Sequence, residues 1–240
     1  MKHLDLCSGI GGFSLAFESE GFETVGFAEV DPYCSQVLEK NWPSVPNYGD
    51  VKEIANDPTT LPEFDILTAG YPCQPFSTSG QKRGEADPRH LWPNIRKIVQ
   101  SRKPSWCVFE NVVGHINLGI DTVLSNLEED GYETRPFVIP AVAVDAPHKR
   151  LRVWILAYTS SGGQHKQGAF GKPLRPEAHQ DRKASKPVDG GLRQVWQTEP
   201  NVGRVADGIP DQSHRIKSLG NAIVPQVAQR MARCIRLAND

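Results

Sequence analysis

The chain has 240 residues, 38% of them hydrophobic and 23% charged, enough to bury one full core with a small appended lobe. Its formal net charge of −1 excludes attraction of the whole surface to nucleic acid, so any such binding must use a local basic patch. Five cysteines, Cys7, Cys34, Cys73, Cys107 and Cys234, are odd in number and form no C-x-x-C pair; this argues against a zinc site or a disulfide framework and fits a reducing cytosol.

Residues 3–7 are predicted as a strand, entered from Met1 without a basic leader. No run approaches the ~18 apolar residues of a membrane span. A cytoplasmic protein with neither export signal nor membrane segment is therefore expected. Next, Ser8, Gly9, Ile10, Gly11 and Gly12 turn into a helix whose Phe13, Ala16 and Phe17 recur at helical spacing and which Gly21 ends. A second strand over 24–28 closes at Glu29, and Asp31-Pro32 supplies an N-cap and first-turn pair for a second helix.

This β-α-β-α opening suits a cofactor containing adenosine. Its glycines allow close backbone approach, and an acid after the second strand accepts hydrogen bonds from ribose hydroxyls. Ser14 stands where the third glycine of a dinucleotide fingerprint belongs, which weakens a pyrophosphate role and leaves S-adenosylmethionine compatible. A turn that serves packing alone explains the same glycines equally well. Asp50, after Gly49, is placed either to accept from an adenine amino group or to make an ordinary turn.

A short apolar run over 64–69 predicts a third strand, followed by Gly70, Tyr71, Pro72, Cys73, Gln74 and Pro75. Free cysteines are usually buried and inert. Two flanking prolines make a poor core strand, however, so a nucleophile on a stiffened loop competes with that reading. Residues 81–90 are polar without hydrophobic period and read as a loop, either merely solvated or able to close over a substrate.

A helix over 91–102 and a strand over 105–110 follow, the strand ending in Glu110 with Asn111 next. Glu110 is either an ordinary helix cap or a second group at the crevice that Cys73 faces. Ile120, Val123, Leu124 and Leu127 mark a helix stopped at Gly131. Strands over 132–143 and 150–158 are expected to pair antiparallel. In the second, Leu151, Val153, Ile155 and Ala157 share one face, and Arg150 and Arg152 share the other. Two such arginines grip an anion or a carbonyl-bearing base, or form a solvated ladder.

Composition changes at Thr159. Residues 159–200 hold seven basic and four acidic side chains, a balance of +3, and few large apolar ones. The segment is expected either to be a disordered insert or to read nucleic acid through phosphate contacts. Order is expected to return over 201–210 and 218–225. There a Gly220-Asn221 pair either faces a ligand or starts a helix that buries Val227, Ala228, Met231, Cys234 and Ile235.

Taken together, the strings DLCSGIGGF, FAEVDP, GDV, GYPCQPFS, FENV, HKRLRVW and LGNAIVPQVA resemble, in this order, the cytosine-C5 DNA methyltransferases of bacteria and phages. The resemblance implies an α/β fold, a Rossmann-like S-adenosylmethionine-dependent methyltransferase domain with a small target-recognition lobe. Its expected divisions are a catalytic domain over 1–158, a short recognition region over 159–210 and a C-terminal segment over 211–240 packing back on the catalytic domain. It implies that Cys73 adds to cytosine C6, that Glu110 serves N3, and that Arg152 with Arg150 holds the O2 side. The cofactor would lie against Asp5, Cys7, Gly9, Gly11, Glu29, Asp50, Val51, Pro72 and Asn221. Gln74, Ser77, Gln81, Lys82 and Arg83 would lie near DNA with its target base flipped out. No metal is required.

Double-stranded DNA is the implied partner of a monomer, beside a separately acting restriction endonuclease, in a modification or anti-restriction role. Cys7 departs from the family's usual Phe, and His148 from its usual Gln. A tRNA cytosine-C5 methyltransferase, a non-catalytic DNA-binding homologue and a nicotinamide oxidoreductase are the rival readings. One expectation is testable without structure. Neutralising Lys166, Lys172, Arg175, Arg182, Lys183, Lys186 and Arg193 should weaken DNA binding, and a salt titration should show the steepness of log K against log salt falling by about 1 for each phosphate no longer neutralised. An unchanged slope would place recognition elsewhere.

Overall fold

The computed structural model describes residues 1–72, 91–117, 119–159 and 212–239. Strands β1 (Lys2–Leu6), β2 (Glu23–Ala28), β3 (Ile66–Ala69), β4 (Trp106–Val112), β5 (Tyr132–Pro140) and β6 (Leu151–Thr159) form one sheet in the order β2-β1-β3-β4-β6-β5. β1 pairs in parallel with β2 and β3, and β3 with β4; β6 runs antiparallel to both β4 and β5. The chain leaves β1 for β2 on one side and returns to β3 on the other. Strand order thus reverses at β1, the point where open α/β sheets leave a crevice outside their carboxyl ends.

Among the described residues, seven helices surround the sheet: α1 (Gly12–Glu18), α2 (Pro32–Asn41), α3 (Val51–Ile54), α4 (Trp92–Arg102), α5 (Ile120–Glu129), α6 (Gln212–Asn221) and α7 (Pro225–Asn239). Phe13 and Phe17 of α1 and Val227, Met231 and Ile235 of α7 pack on Ile66, Trp106, Val108, Trp154 and Leu156. On the opposite face Val51, Ile54, Ile95, Ile98, Val123 and Leu127 cover Leu4, Leu6, Leu67 and Phe109. Each large aliphatic side chain buried this way contributes about 1.5–3 kcal/mol relative to exposure. No described helix is long and apolar enough to cross a membrane.

Local chemistry accounts for the boundaries. The Asp31 carboxylate accepts from Tyr33 N and Cys34 N, and Pro32 opens α2 with its φ already set. Asp50 caps α3 in the same way, accepting from Lys52 N at 2.9 Å. The predicted pairing of the last two strands is observed, although β5 stops at Pro140 and a 3-10 turn over Ala141–Val144 follows.

Four expectations are corrected. Cys234 is exposed rather than inward. The α7 stripe runs through Val227, Ala228, Met231, Ala232 and Ile235, and Cys234 lies roughly 90° from its centre at 100° per residue. Gly220 and Asn221 do precede the helix that buries Val227 and Ile235, but they also close α6, a helix the sequence pattern did not predict. β4 continues to Val112, because β6 goes on pairing with it after β3 has ended at Ala69. β6 is an inner strand buried on both faces from Val153 to Tyr158, so the expected alternation is lost, and at its start Leu151 is exposed while Arg152 is half-buried. The 81–90 loop and the order expected over 201–210 lie outside the described residues.

Packing also accounts for one glycine. Gly11 has φ 84°, and a Cβ there would stand 2.5 Å from Trp42 Cζ3. The substitution Gly11→Ala combines a left-handed backbone with overpacking and should destabilise the fold by about 2 kcal/mol or more, read as a lower urea midpoint at unchanged slope.

Candidate active site

The turn between β1 and α1 lies at the switch point, and its environment is acidic. Gly9 N donates to Glu29 Oε2 at 2.7 Å, and Asp31 N donates to Glu29 Oε1 at 2.7 Å. The carboxylate is therefore held at the end of β2 by two backbone donors. Asn47 steadies the same residue: its Oδ1 accepts from Glu29 N and its Nδ2 donates to Glu29 O, both at 3.0 Å. Burial, followed by the charges of Glu29, Asp5 and Asp50, pushes the Cys7 thiol well above its ordinary value. Cys7 itself takes φ 52°, a strained left-handed backbone.

Gly9, unlike Gly11, opens outward: no atom lies within 4 Å of where its Cβ would stand. An open glycine held by the Glu29 carboxylate, with the charges of Asp5 and Asp50 acting on the neighbouring Cys7, suits a ligand with ribose hydroxyls and a positive charge, not a pyrophosphate. S-adenosylmethionine, a sulfonium carrying adenosine, meets that description, with Gly9, Glu29 and Asp50 as the groups that would hold it.

Beneath the turn runs a buried polar column. Ser14 Oγ donates to Asp5 Oδ2 at 3.0 Å and Thr68 Oγ1 donates to Asp5 Oδ1 at 2.9 Å. With its proton given to Asp5, Thr68 Oγ1 accepts from His3 Nε2 at 2.8 Å. Burial lowers His3 to about 3, which leaves it neutral. Burial raises Asp5 to about 7, against the hydrogen bonds from Thr68 and Ser14. Ser14, the residue that spoils the dinucleotide fingerprint, is thus a hydrogen-bond donor to the acid below the β1–α1 turn.

The second half of the crevice is built on β4 and β6. Glu110 sits past the last residue that β3 pairs, opposite Trp154. Its Oε1 lies 3.0 Å from Arg152 Nε, with 10% and 22% of the two side chains exposed. Burial lifts Glu110 to about 7, although Arg152 and then Arg150 pull the other way. The acid therefore exchanges a proton close to neutral pH. A Cβ on Gly70 would stand 3.7 Å from Glu110 Oε2, so Glu110 borders the turn that leads out of β3.

Arg150 precedes β6 with φ 32°, and its Nη2 donates to Gly220 O at 2.9 Å and Ala222 O at 2.6 Å. Pro72 is exposed, Val51 is buried at the start of α3, and Asn221 is exposed at the end of α6. Cys73, Gln74, Ser77, Gln81, Lys82 and Arg83 lie outside the described residues. Three residues given no role from the sequence help to build the site: Asn47, Asn111 and Ile223. Asn111 Nδ2 donates to Tyr71 O at 3.1 Å, which fixes the backbone two residues before Cys73. Its position beside Glu110 was the available signal; Ile223 gave none, because its neighbours are all distant in sequence.

A parallel sheet that reverses at β1, carries one antiparallel strand and has its acids at the carboxyl edge has the Rossmann-like fold of S-adenosylmethionine-dependent methyltransferases. Among solved structures the chain is similar to the S. pombe Dnmt2 methyltransferase, with TM-score 0.58 and 22% identity over 66% of this chain and 51% of that one. A DNA modification methyltransferase encoded within an E. coli prophage gives TM-score 0.53 and 24% identity over 67% and 47%. In sequence, residues 1–203 match the family described as C-5 cytosine-specific DNA methylase, and the chain belongs to that family.

Two curated relatives are the type II methyltransferases M.HhaI of Haemophilus parahaemolyticus and M.DsaV of Dactylococcopsis salina. The first is 36% identical over 163 residues, 66% of this chain and 49% of the relative. The second is 31% identical over 194 residues, 79% and 54%. The chain spans about half the length of these relatives.

The Asp5 carboxyl gives a prediction whose sign follows from its direction of shift. The folded state keeps the proton up to about pH 7, whereas the unfolded chain releases it near the ordinary value. Asp5 therefore stabilises least above pH 7, and stability falls as pH rises from about 4 to about 7. Asp5→Asn should recover on the order of 3 kcal/mol at pH 8 relative to its effect at pH 4 and reduce that slope, leaving the Glu110 contribution in the same window. Urea unfolding at the two pH values measures it; equal effects at both would refute it.

Proposed function

We propose that this protein transfers a methyl group from S-adenosyl-L-methionine to carbon 5 of a cytosine flipped out of duplex DNA. The observation that carries the reading is the Glu110 carboxyl, paired with Arg152 at 3.0 Å and raised to about 7. It borders the Gly70–Pro72 turn that runs directly into Cys73. Membership of the C-5 cytosine-specific DNA methylase family supports the same reading.

Carbon 5 of cytosine is a weak nucleophile, and the chain's residues raise its reactivity. The Cys73 sulfur forms a bond to C6 and displaces the C5–C6 π electrons toward C4 and N3. Glu110 delivers its proton to N3 as charge develops there, so C5 becomes the nucleophilic end of an enamine. Arg152 keeps Glu110 oriented and faces the base's O2 side, where its cation stabilises the adduct. Bound S-adenosyl-L-methionine supplies an electrophilic methyl group on a sulfonium. A base then takes the C5 proton, the C5–C6 double bond re-forms as Cys73 leaves as thiolate, and N3 returns its proton to Glu110. Asn111, through the Tyr71 carbonyl, positions the backbone that leads to the nucleophile.

Flipping is required because C5 and C6 are stacked in the duplex. Residues 159–210 are read as the recognition region, with Gln74, Ser77, Gln81, Lys82 and Arg83 beside the DNA. Action as a cytoplasmic monomer, in modification alongside a separate endonuclease, completes the reading.

The test is labelled methyl transfer to unmethylated duplex DNA, with tRNA in parallel and product nucleosides identified. Wild type should yield 5-methylcytosine in DNA, and Cys73→Ala none. Glu110→Gln should lose roughly 10²–10⁴ in rate, the usual worth of a positioned proton donor. The wild-type rate should also fall as pH rises through about 7, where Glu110 loses its proton, and the residual Glu110→Gln rate should lack that limb. Methyl appearing in tRNA alone, or persisting in Cys73→Ala, would overturn the proposal.

A further inference from the structure

Ile223 occupies an unusual position. Its Cγ1 lies 2.8 Å from where a Cβ on Gly12 would stand, and its Cγ2 lies 3.8 Å from the same point on Gly70. Gly12 opens α1 on the cofactor side of the crevice, and Gly70 follows β3 on the side of Glu110, whose Oε2 is 3.7 Å from that second point. One side chain from the far end of the chain thus packs into the space left by two glycines at the switch point. The segment bearing it has no strand or helix of its own: α6 ends at Asn221 and α7 begins at Pro225.

What holds that segment is Arg150. Its Nη2 donates to Gly220 O at 2.9 Å and to Ala222 O at 2.6 Å, the carbonyls on either side of Asn221. The last carbonyls of a helix have no partner within it, and a cation there also meets the negative end of the helix dipole. The Arg150 backbone is held at φ 32°, a conformation that persists only where the surroundings over-determine it. Arg150 also lines one small cavity with Arg152, Trp154, Val224 and Val227, so it stands between the ion pair on β4 and β6 and the start of α7.

We infer that Arg150 is a positioning residue that clips the α6–α7 junction to the head of β6 and thereby seats Ile223 between the cofactor turn and the Glu110 turn. This deepens the proposed function and rests on it for the identity of the cofactor. The resemblance grouped Arg150 with Arg152 at the base, but the two have different tasks. Arg152 meets the acid, whereas Arg150 closes the wall of the cofactor crevice from behind.

The experiment compares Arg150→Met, Arg150→Lys, Ile223→Ala and Arg152→Met by calorimetric binding of S-adenosylhomocysteine, by trypsin cleavage at the exposed Arg215 and Lys217 of α6, and by steady-state kinetics. Arg150→Met should weaken S-adenosylhomocysteine binding about tenfold or more and speed α6 cleavage severalfold. Its kinetic loss should fall on the KM for S-adenosylmethionine rather than on kcat. Arg150→Lys, which keeps a cation for the two carbonyls, should restore most of both. Ile223→Ala should reproduce the binding loss, and combining it with Arg150→Met should add little, because both act through one contact. Arg152→Met should show the reverse, a collapse of kcat with S-adenosylhomocysteine still bound.

Unchanged binding and cleavage in Arg150→Met, with the loss in kcat or in KM for DNA, would overturn the inference and return Arg150 to the base. Should Arg150→Met fail to fold, Arg150→Lys and Ile223→Ala decide by the same readouts. A wild type that does not bind S-adenosylhomocysteine would defeat the cofactor reading instead, and the α6 cleavage pattern alone would then decide the clip.

Discussion

Antiparallel pairing of β6 against β4 sets Glu110 opposite Trp154 and Val112 opposite Arg152, and that register brings a carboxyl to 3.0 Å from a guanidinium. A parallel strand in the place of β6 would carry its own carboxyl end to the crevice; reversed, β6 carries its head there instead. Both arginines stand at that head. The same pairing prolongs β4 beyond the last residue of β3, so Glu110 gains burial from β6 while bordering the Gly70 turn. Its raised pKa and its partner therefore have one origin, the direction of a single strand.

Burial and charge divide the crevice into two halves with distinct chemistry. On the β1–β2 side, the Glu29 carboxylate is oriented by backbone N–H groups while Asn47 holds the Glu29 backbone, and the strands beneath bury a neutral histidine and a proton-holding Asp5. On the β4–β6 side, one carboxyl faces two cations and still titrates near neutrality, because desolvation outweighs their attraction. The first environment suits a cationic ligand. The second suits a group that must pass a proton to a base and take it back.

The halves are joined by side chains whose contacts no local pattern marks. Asn111 reaches back to the Tyr71 carbonyl, and Ile223 fills the space beside Gly12 and Gly70. Trp42 fills the space beside Gly11 in the same manner, so the two adjacent glycines serve packing while Gly9 faces the open crevice. Packing therefore accounts for Gly11 and Gly12 but not for Gly9, whose outward side is open.

Much of this was legible in the amino acids. The strands over the first 70 residues, the Asp31-Pro32 helix start, the antiparallel pairing near the end and the positions of Glu29, Glu110 and Arg152 all follow from local rules of periodicity, capping and strand alternation, which depend on neighbours a few residues apart. What the sequence by itself determined was therefore the order of the six strands, the ends at which acids and arginines stand, and the family. Tertiary structure alone decided that β4 extends to Val112, that β6 is buried on both faces, that Cys234 faces outward, and that Arg150 grips carbonyls of residues 220 and 222. The physical reason is common to all four. Strand length, burial and the partner of a long flexible cation are set by whatever packs alongside, and those neighbours come from parts of the chain that are distant in sequence.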